Sequence, residues 1–310
     1  MRATADPRQT FGKALTEAAG RNKNIVAISA DSSSGSGLSA FNDTFPARHL
    51  EFGIMEQGVI GFAAGLATMG KIPVIAAIAP FVTVRPFEMV RNDVGYMQQN
   101  VKIVGRCGGF TYYDLGSTHH SLEDFAITST IPGFTLLSPG DPVSISWATN
   151  AMVELVGGVY MRIGNQKLPV IYDESQQFEI GKANMLRDGA DVTIIASGTV
   201  LHRALDAADL LRDQGVSVRM LDMHTLKPLD HEAVVKAARE TGRIVTVEEH
   251  YIRGGLGGMV AEITADECPV PVKRIGIADI YATNGPYEDL VREYGLQPDQ
   301  IAKTVRDFLG

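Results

Sequence analysis

The sequence predicts an α/β protein of two domains, each a mainly parallel sheet flanked by helices. Three observations predict it. Short runs rich in Val and Ile alternate with amphipathic helical stretches along most of the chain. Most of the runs are apolar on both faces, as strands covered on both sides must be. The pattern breaks after Pro169 in a polar stretch, Tyr172-Asp173-Glu174-Ser175-Gln176-Gln177, and then restarts.

In the first half, Ile25–Ser29, 74–78, 101–104 and Val159–Arg162 read as buried strands. Helices are expected over 9–19, 58–68, 87–97 and Pro142–Glu154 between them. In the second half, a strand over 192–197 ends in Ser197-Gly198-Thr199 and leads into a helix over 200–212. Strands follow at 216–221 and 244–248, with a helix over 230–240 that Gly242 stops. The expected division is a domain at 1–172, a linker at 173–185 and a second domain at 186–310. A chain of 310 residues is long enough for two such cores.

Composition narrows the function. Hydrophobic residues make up 45% and charged residues 21%, enough for packed interiors. A net charge of −8 argues against a nucleic-acid partner, which would call for a basic face. The most apolar region, 58–81, is interrupted by Gly65, Gly70, Lys71 and Pro73, so it reads as helix, turn and strand rather than a membrane span. The first residues are polar and lack the apolar stretch of a signal peptide. Two cysteines far apart, Cys107 and Cys268, argue against a disulfide framework and suit a cytoplasmic location.

Chemistry concentrates in 51–67. Glu56 opens a helix of otherwise small and apolar residues, with Gly58, Gly61, Ala64 and Gly65 permitting close backbone contact. An acid there also has an ordinary use, stabilisation by the helix N-terminus. After the next strand comes Phe81-Val82-Thr83-Val84-Arg85-Pro86-Phe87, whose two Phe rings either frame an aromatic slot or pack in the core. Further along stand Gly116-Ser117-Thr118-His119, Ile131-Pro132-Gly133-Phe134, Ser138-Pro139-Gly140-Asp141 and Tyr160-Met161-Arg162-Ile163-Gly164. The second half carries Asp222-Met223-His224-Thr225-Leu226-Lys227-Pro228, Val247-Glu248-Glu249-His250 and Gly254-Gly255-Leu256-Gly257.

In this order, over nearly the whole chain, these segments resemble the pyrimidine-binding and C-terminal domains of transketolases. The resemblance implies a thiamine-diphosphate enzyme that moves a two-carbon ketol unit between sugar phosphates. Glu56 would bond N1′ of the aminopyrimidine, so that the cofactor acts as its own base, and an apolar setting would favour the protonated carboxyl that this needs. Phe81 and Phe87 would stack on the pyrimidine, with Ile54 near the cofactor and Asp31 facing either the cofactor or the dimer interface. His119 would lie at the substrate, and Arg162 would hold its phosphate through paired hydrogen bonds. A solvated loop histidine and a strand-end ion pair are their plainer alternatives.

Two positions depart from the family. Cys107 stands where transketolases have His, and Leu115 where they have Asp, with Asp114 one residue away. Both family residues meet substrate hydroxyls, so an altered sugar is expected. The family's Gly-Asp-Gly segment, which binds Mg²⁺ and the diphosphate, does not occur here. No metal ligand is therefore expected in this chain. The resemblance implies a separate N-terminal subunit that carries that site, in an α2β2 heterotetramer. The rival readings are the beta subunit of a 2-oxo acid dehydrogenase, a fragment of a deoxyxylulose-phosphate synthase, and a non-catalytic assembly subunit that kept the fold.

Overall fold

A computed structural model describes residues 2–310. In chain order its strands are β1 (Thr4–Ala5), β2 (Ile25–Ser29), β3 (His49–Glu51), β4 (Ile72–Ile78), β5 (Lys102–Arg106), β6 (Thr135–Leu137) and β7 (Val159–Arg162). They continue as β8 (Leu168–Pro169), β9 (Asn184–Arg187), β10 (Val192–Ala196), β11 (Val218–Asp222), β12 (Thr225–Lys227), β13 (Ile244–Tyr251) and β14 (Val272–Ile277).

Two sheets carry the molecule. The larger has the order β12-β6-β7-β5-β4-β2-β3, and the smaller β14-β13-β10-β11-β9. Every pairing from β6 through β3 is parallel, and only the edge strand β12 runs antiparallel, against β6. The smaller sheet is parallel except for its edge strand β9. This is the predicted class, and the interior strands β2, β5, β7 and β10 are buried along their full length.

Local rules account for most helices. The helix Pro7–Arg21 starts with Pro at its first position, and Asp6 caps it by accepting from the amides of Arg8 and Gln9. Its buried face, Phe11, Leu15, Ala18 and Ala19, joins the core cluster that also holds Ile145, Ala148 and Met152 of the helix Pro142–Glu154. That second helix opens with a reciprocal cap between Asp141 and Ser144. The helix His231–Thr241 ends at Gly242, whose φ of 66° is the left-handed conformation a glycine accepts without strain.

Two local expectations changed. The helix predicted over 87–97 is a short α-turn, Phe87–Met89, that widens into a π-helix over Val90–Tyr96. Within it, Gly95 lies so close to Ile131 that a Cβ would collide with the Ile131 methyl, so packing decides the backbone there. The helix placed over 58–68 starts two residues earlier, at Glu56, the residue read from the sequence as opening it. Between β8 and β9 the chain has turns but no helix or strand. Among the described residues, no helix is long and apolar enough to cross a membrane.

Candidate active site at the carboxyl edge of the larger sheet

Because β2, β3, β4 and β5 run parallel, the segments that follow them emerge along one edge. In open α/β sheets this carboxyl edge is where ligands bind. Asp31 lies just beyond β2, Glu56 beyond β3, and Phe81 and Arg85 beyond β4, while Arg106 ends β5 and Cys107 follows it. Two of these residues hold a backbone conformation unusual for a residue with a side chain. Asp31 has φ 49° and Cys107 φ 59°. Such positions typically cost about 1–3 kcal/mol each and cluster at functional sites.

The loop that carries Asp31 is tied to β3. Glu51 accepts from the amides of Asp31 at 2.7 Å and Gly53 at 3.0 Å, and from the hydroxyl of Ser29. These bonds to the charged form hold the Glu51 carboxyl below its usual range, although burial opposes them. Glu51 therefore shapes the turn that leads to Glu56, a role that nothing in the sequence assigns to it. The Asp31 side chain is itself exposed.

Glu56 is 5% exposed at the start of its helix. Its Oε2 accepts from Arg85 Nη1 at 2.7 Å, and its Oε1 receives no hydrogen bond from the described residues. Val59 and Ile60 of the next turn are buried, giving it an apolar backing on the core side. The opposite side is open. Ile54 is 74% exposed, and Met55 and Phe62 are exposed beside it.

The Arg85 guanidinium also lies 3.9 Å from the centre of the Phe81 ring. Phe81 meets His119 edge-on with ring centres 5.1 Å apart, and His119 meets Tyr112 at 5.5 Å. His119 Nδ1 is 3.0 Å from the Thr118 hydroxyl, and Nε2 has no partner among the described residues. The structure thus brings Glu56, Phe81 and His119 into one row. It adds Arg85, which the sequence shows only as part of a motif, and Tyr112, which no sequence signal marks.

Three expectations need correction or qualification. Of the two uses left open for Phe87, core packing is the one with contacts behind it. It is half-buried at the start of the short helix Phe87–Met89 and packs against the core cluster, while Phe81 carries the contacts to Arg85 and His119. Arg162 does not reach a substrate phosphate. It is 5% exposed, donates to Asp124 Oδ1 at 3.0 Å and to the carbonyl of Glu249 at 2.8 Å, and stacks on Phe125 at 4.7 Å. Asp124 is held in turn by the Tyr160 hydroxyl at 2.6 Å. That network fastens the larger sheet to the second domain, where Glu249 also accepts from the amide of Phe110 at 2.5 Å. Cys107 is fully buried, and burial pushes its thiol up although Arg106 opposes this. Its sulfur faces Arg106 rather than the open edge. Asp114 and Leu115 are exposed on the loop before His119, with Leu115 46% exposed. Among the described residues no cluster of side chains is built to hold a metal ion.

Comparison with known proteins agrees with this geometry. Residues 3–170 match the family model of the transketolase pyrimidine-binding domain, and residues 181–301 that of the transketolase C-terminal domain. The chain is 42% identical over 303 residues to a subunit of the apulose-4-phosphate transketolase of Phocaeicola vulgatus, covering 97% of each. It is 38% identical over 300 residues to the 6-deoxy-6-sulfo-D-fructose transketolase subunit SqwH of a Clostridium species, covering 97% of this chain and 93% of that one. A solved split-gene transketolase, described as an inactive beta4 tetramer, superposes with a TM-score of 0.91 at 37% identity, covering 98% of both chains. The chain belongs to the transketolase family of thiamine-diphosphate enzymes, and it corresponds to the pyrimidine-binding and C-terminal portion that split members carry as a separate subunit.

Proposed function

We propose that this chain is the C-terminal subunit of a split transketolase that moves a two-carbon ketol unit between anionic sugars, at least one of them outside the ordinary sugar-phosphate set. Its partner is an N-terminal subunit that carries Mg²⁺ and the diphosphate of the cofactor, in an α2β2 assembly. The observation that carries this reading is Glu56. It is a buried carboxylate with one unpartnered oxygen, at a sheet edge that also presents Phe81 and His119. The relatives favour ketol transfer over the 2-oxo acid dehydrogenase reading, since both named subunits act in transketolases on unusual sugars.

The residues present suit the aminopyrimidine of thiamine diphosphate. Glu56 Oε1 is free to meet a ring nitrogen, and Phe81 offers an aromatic face beside it. The exposed Ile54 offers an apolar surface at the same edge. When bound, the cofactor supplies the carbon nucleophile that carries the ketol unit. Glu56 holds or shares the proton at the ring nitrogen, which sets the basicity of the ring's amino group. Arg85 covers one face of Phe81, so its guanidinium must withdraw from any face on which a ring stacks. His119 Nε2 is placed to exchange a proton with a sugar hydroxyl, its ring held between Phe81 and Tyr112. Leu115, exposed on the loop before His119, offers the sugar no hydrogen bond where the family has Asp, and the buried Cys107 offers none where it has His, which shifts preference away from donors such as xylulose 5-phosphate.

The test is reconstitution. The purified chain with thiamine diphosphate and Mg²⁺ is expected to show no ketol transfer, and addition of the N-terminal partner is expected to restore it. Turnover by the pure chain alone would refute the split-enzyme reading. The double variant Leu115→Asp with Cys107→His is expected to move preference toward xylulose 5-phosphate. If wild type already uses that sugar as well as any other, and the double variant does not improve on it, the two departures do not set specificity.

A further inference from the structure

We infer that Tyr294 and the segment 282–285 of the second domain position the loop that presents His119 to the sugar. The inference rests on the transketolase reading above, which gives His119 its role. It assigns a task in the reaction to a domain that adds no group to the row of Glu56, Phe81 and His119.

The loop 107–121 belongs to the first domain by sequence, since it leaves β5 and leads to the helix Asp124–Ser129. Its anchors lie elsewhere. Phe110 and Leu122 are buried in the core cluster that holds Val192, Val245 and Val247 of the smaller sheet, and Tyr113 packs against the same cluster. The tip follows suit. Among the described residues, every hydrogen bond that leaves 112–120 goes to one segment of the second domain. Ser117 Oγ donates to the carbonyl of Ala282, and the amide of Gly285 donates to the carbonyl of Tyr113 at 3.3 Å. Gly116, at φ 72°, lies against Asn284, where a Cβ would come within 3.3 Å of that side chain.

Tyr294 joins the root of the loop to its tip. It is half-buried just after the helix Tyr287–Glu293, and its ring stacks on Phe110 with centres 5.0 Å apart. Its hydroxyl accepts from the amide of Thr283 at 2.9 Å, in the segment that holds Ser117 and Tyr113. That segment has no helix or strand to fix its path, so the Tyr294 hydroxyl and the burial of Ala282 are its anchors.

On its other side Phe110 meets the ring of His120 edge-on at 5.4 Å. His120 is buried and neither of its ring nitrogens is bonded among the described residues, so packing alone holds it. The next residue back is His119, whose ring meets Phe81 at 5.1 Å. Protein interiors are dense and transmit strain. A change at Tyr294 therefore reaches His119 by two routes, the line of rings and the segment 282–285. Placement at this scale matters, because a shift of about 1 Å can cost a reaction on the order of 10²-fold. Leu115, exposed on the same loop, is placed by the same contacts.

The experiment compares wild type, Ser117→Ala, Tyr294→Phe and Tyr294→Leu in two settings. In the isolated chain, hydrogen–deuterium exchange read by mass spectrometry is expected to quicken in 111–121 and 278–286 for each variant, while β2 and β10 exchange as in wild type. In the complex with the N-terminal partner, kcat/KM is measured for fructose 6-phosphate or 6-deoxy-6-sulfofructose, whichever wild type uses better. It is expected to fall by about 3-fold for Ser117→Ala, by about 10-fold for Tyr294→Phe, and further for Tyr294→Leu. The affinity for thiamine diphosphate is expected to stay unchanged, since Glu56 and Phe81 stand on other elements. Tyr294→Phe keeps the ring, so the test holds even where Tyr294→Leu does not fold. Wild-type sugar kinetics in both Ser117→Ala and Tyr294→Phe overturn the inference. So does unaltered exchange in 111–121, or a loss of cofactor affinity in step with turnover, which marks a general loosening of the fold. A complex without any ketol transfer, in which exchange of 111–121 still follows Tyr294, leaves the placement of the loop standing and refutes the transketolase reading.

Discussion

Arg106 and Arg162 end neighbouring parallel strands of one sheet, β5 and β7, and both are buried, yet their surroundings are opposite. Around Arg162 every contact is supplied by the protein: Asp124, two backbone carbonyls and the face of Phe125. Around Arg106 there are a hydroxyl, a thiol and the ring of Tyr112, but no carboxylate at ion-pair distance. One region is closed and ties two domains together. The other is strained at Asp31 and Cys107, open at Ile54, and holds polar groups that the chain does not saturate. An arginine at a strand end is thus locked in place or left without a counter-charge according to whether a loop brings it a carboxylate.

The contrast breaks most visibly at Asp124. Asp124→Asn leaves Arg162 buried without its charge partner, which is expected to cost about 3–5 kcal/mol of stability. Thermal or denaturant unfolding reads this directly, and the surviving folded complex should keep its preference among sugars. A selective loss on anionic sugars would instead place Arg162 in the substrate site.

On the open side, Glu56→Gln keeps the shape of the side chain and removes its acid. Turnover of the reconstituted complex is expected to fall by on the order of 10²-fold or more, with cofactor binding weakened less and unfolding little changed. A variant within a factor of a few of wild type would mean that Glu56 serves only its helix.

The closed region has its own pH signature. Burial raises the Glu248 carboxyl to about 7, against the two helix amides of Leu256 and Gly257 that it caps at 2.7 and 2.8 Å. The folded chain then holds a proton that the unfolded chain has released. This contribution to stability is complete below the ordinary carboxylate range and is lost as pH rises through about 7. The stability advantage of wild type over Glu248→Gln should therefore shrink between pH 5 and pH 8. An advantage that is constant or grows across that window would contradict the assignment.

The smallest effect belongs to Arg85. Its ion pair with Glu56 is partly exposed and worth at most ~1 kcal/mol, so removing it changes an equilibrium by about fivefold. Arg85→Ala is expected to speed association of thiamine diphosphate with the complex by up to that factor, because it uncovers Phe81 and frees Glu56. Stopped-flow binding measures it, and a slower association would show that Arg85 helps the cofactor instead of standing in its way.

Much of this is readable in the sequence, for local reasons. The strand Ile25–Ser29 and the helix Pro142–Glu154 have the predicted limits, since apolar runs and an Asp141 cap act within a few residues. Glu56 and His119 stand out because each sits in a motif whose neighbours are its context. The π-helix over Val90–Tyr96 is not legible, because the Ile131 side chain packed against its Gly95 comes from another part of the chain. Phe87 is left open in the sequence for the same reason. An aromatic residue after a strand looks alike whether it faces the edge or the core.

The chain of residue types alone determined the fold class, the alternation of strands and helices, and the order of motifs that marks the family. These depend on periodicity and short-range chemistry, which survive in a linear string. Only the tertiary structure decided which arginine is neutralised. Asp124 lies 38 positions from Arg162 and reaches it from the start of the helix Asp124–Ser129, and no carboxylate pairs with Arg106 in the same way. Whether a charge is paired is a matter of a few ångströms across the fold, because the interaction falls off with distance and with exposure to water.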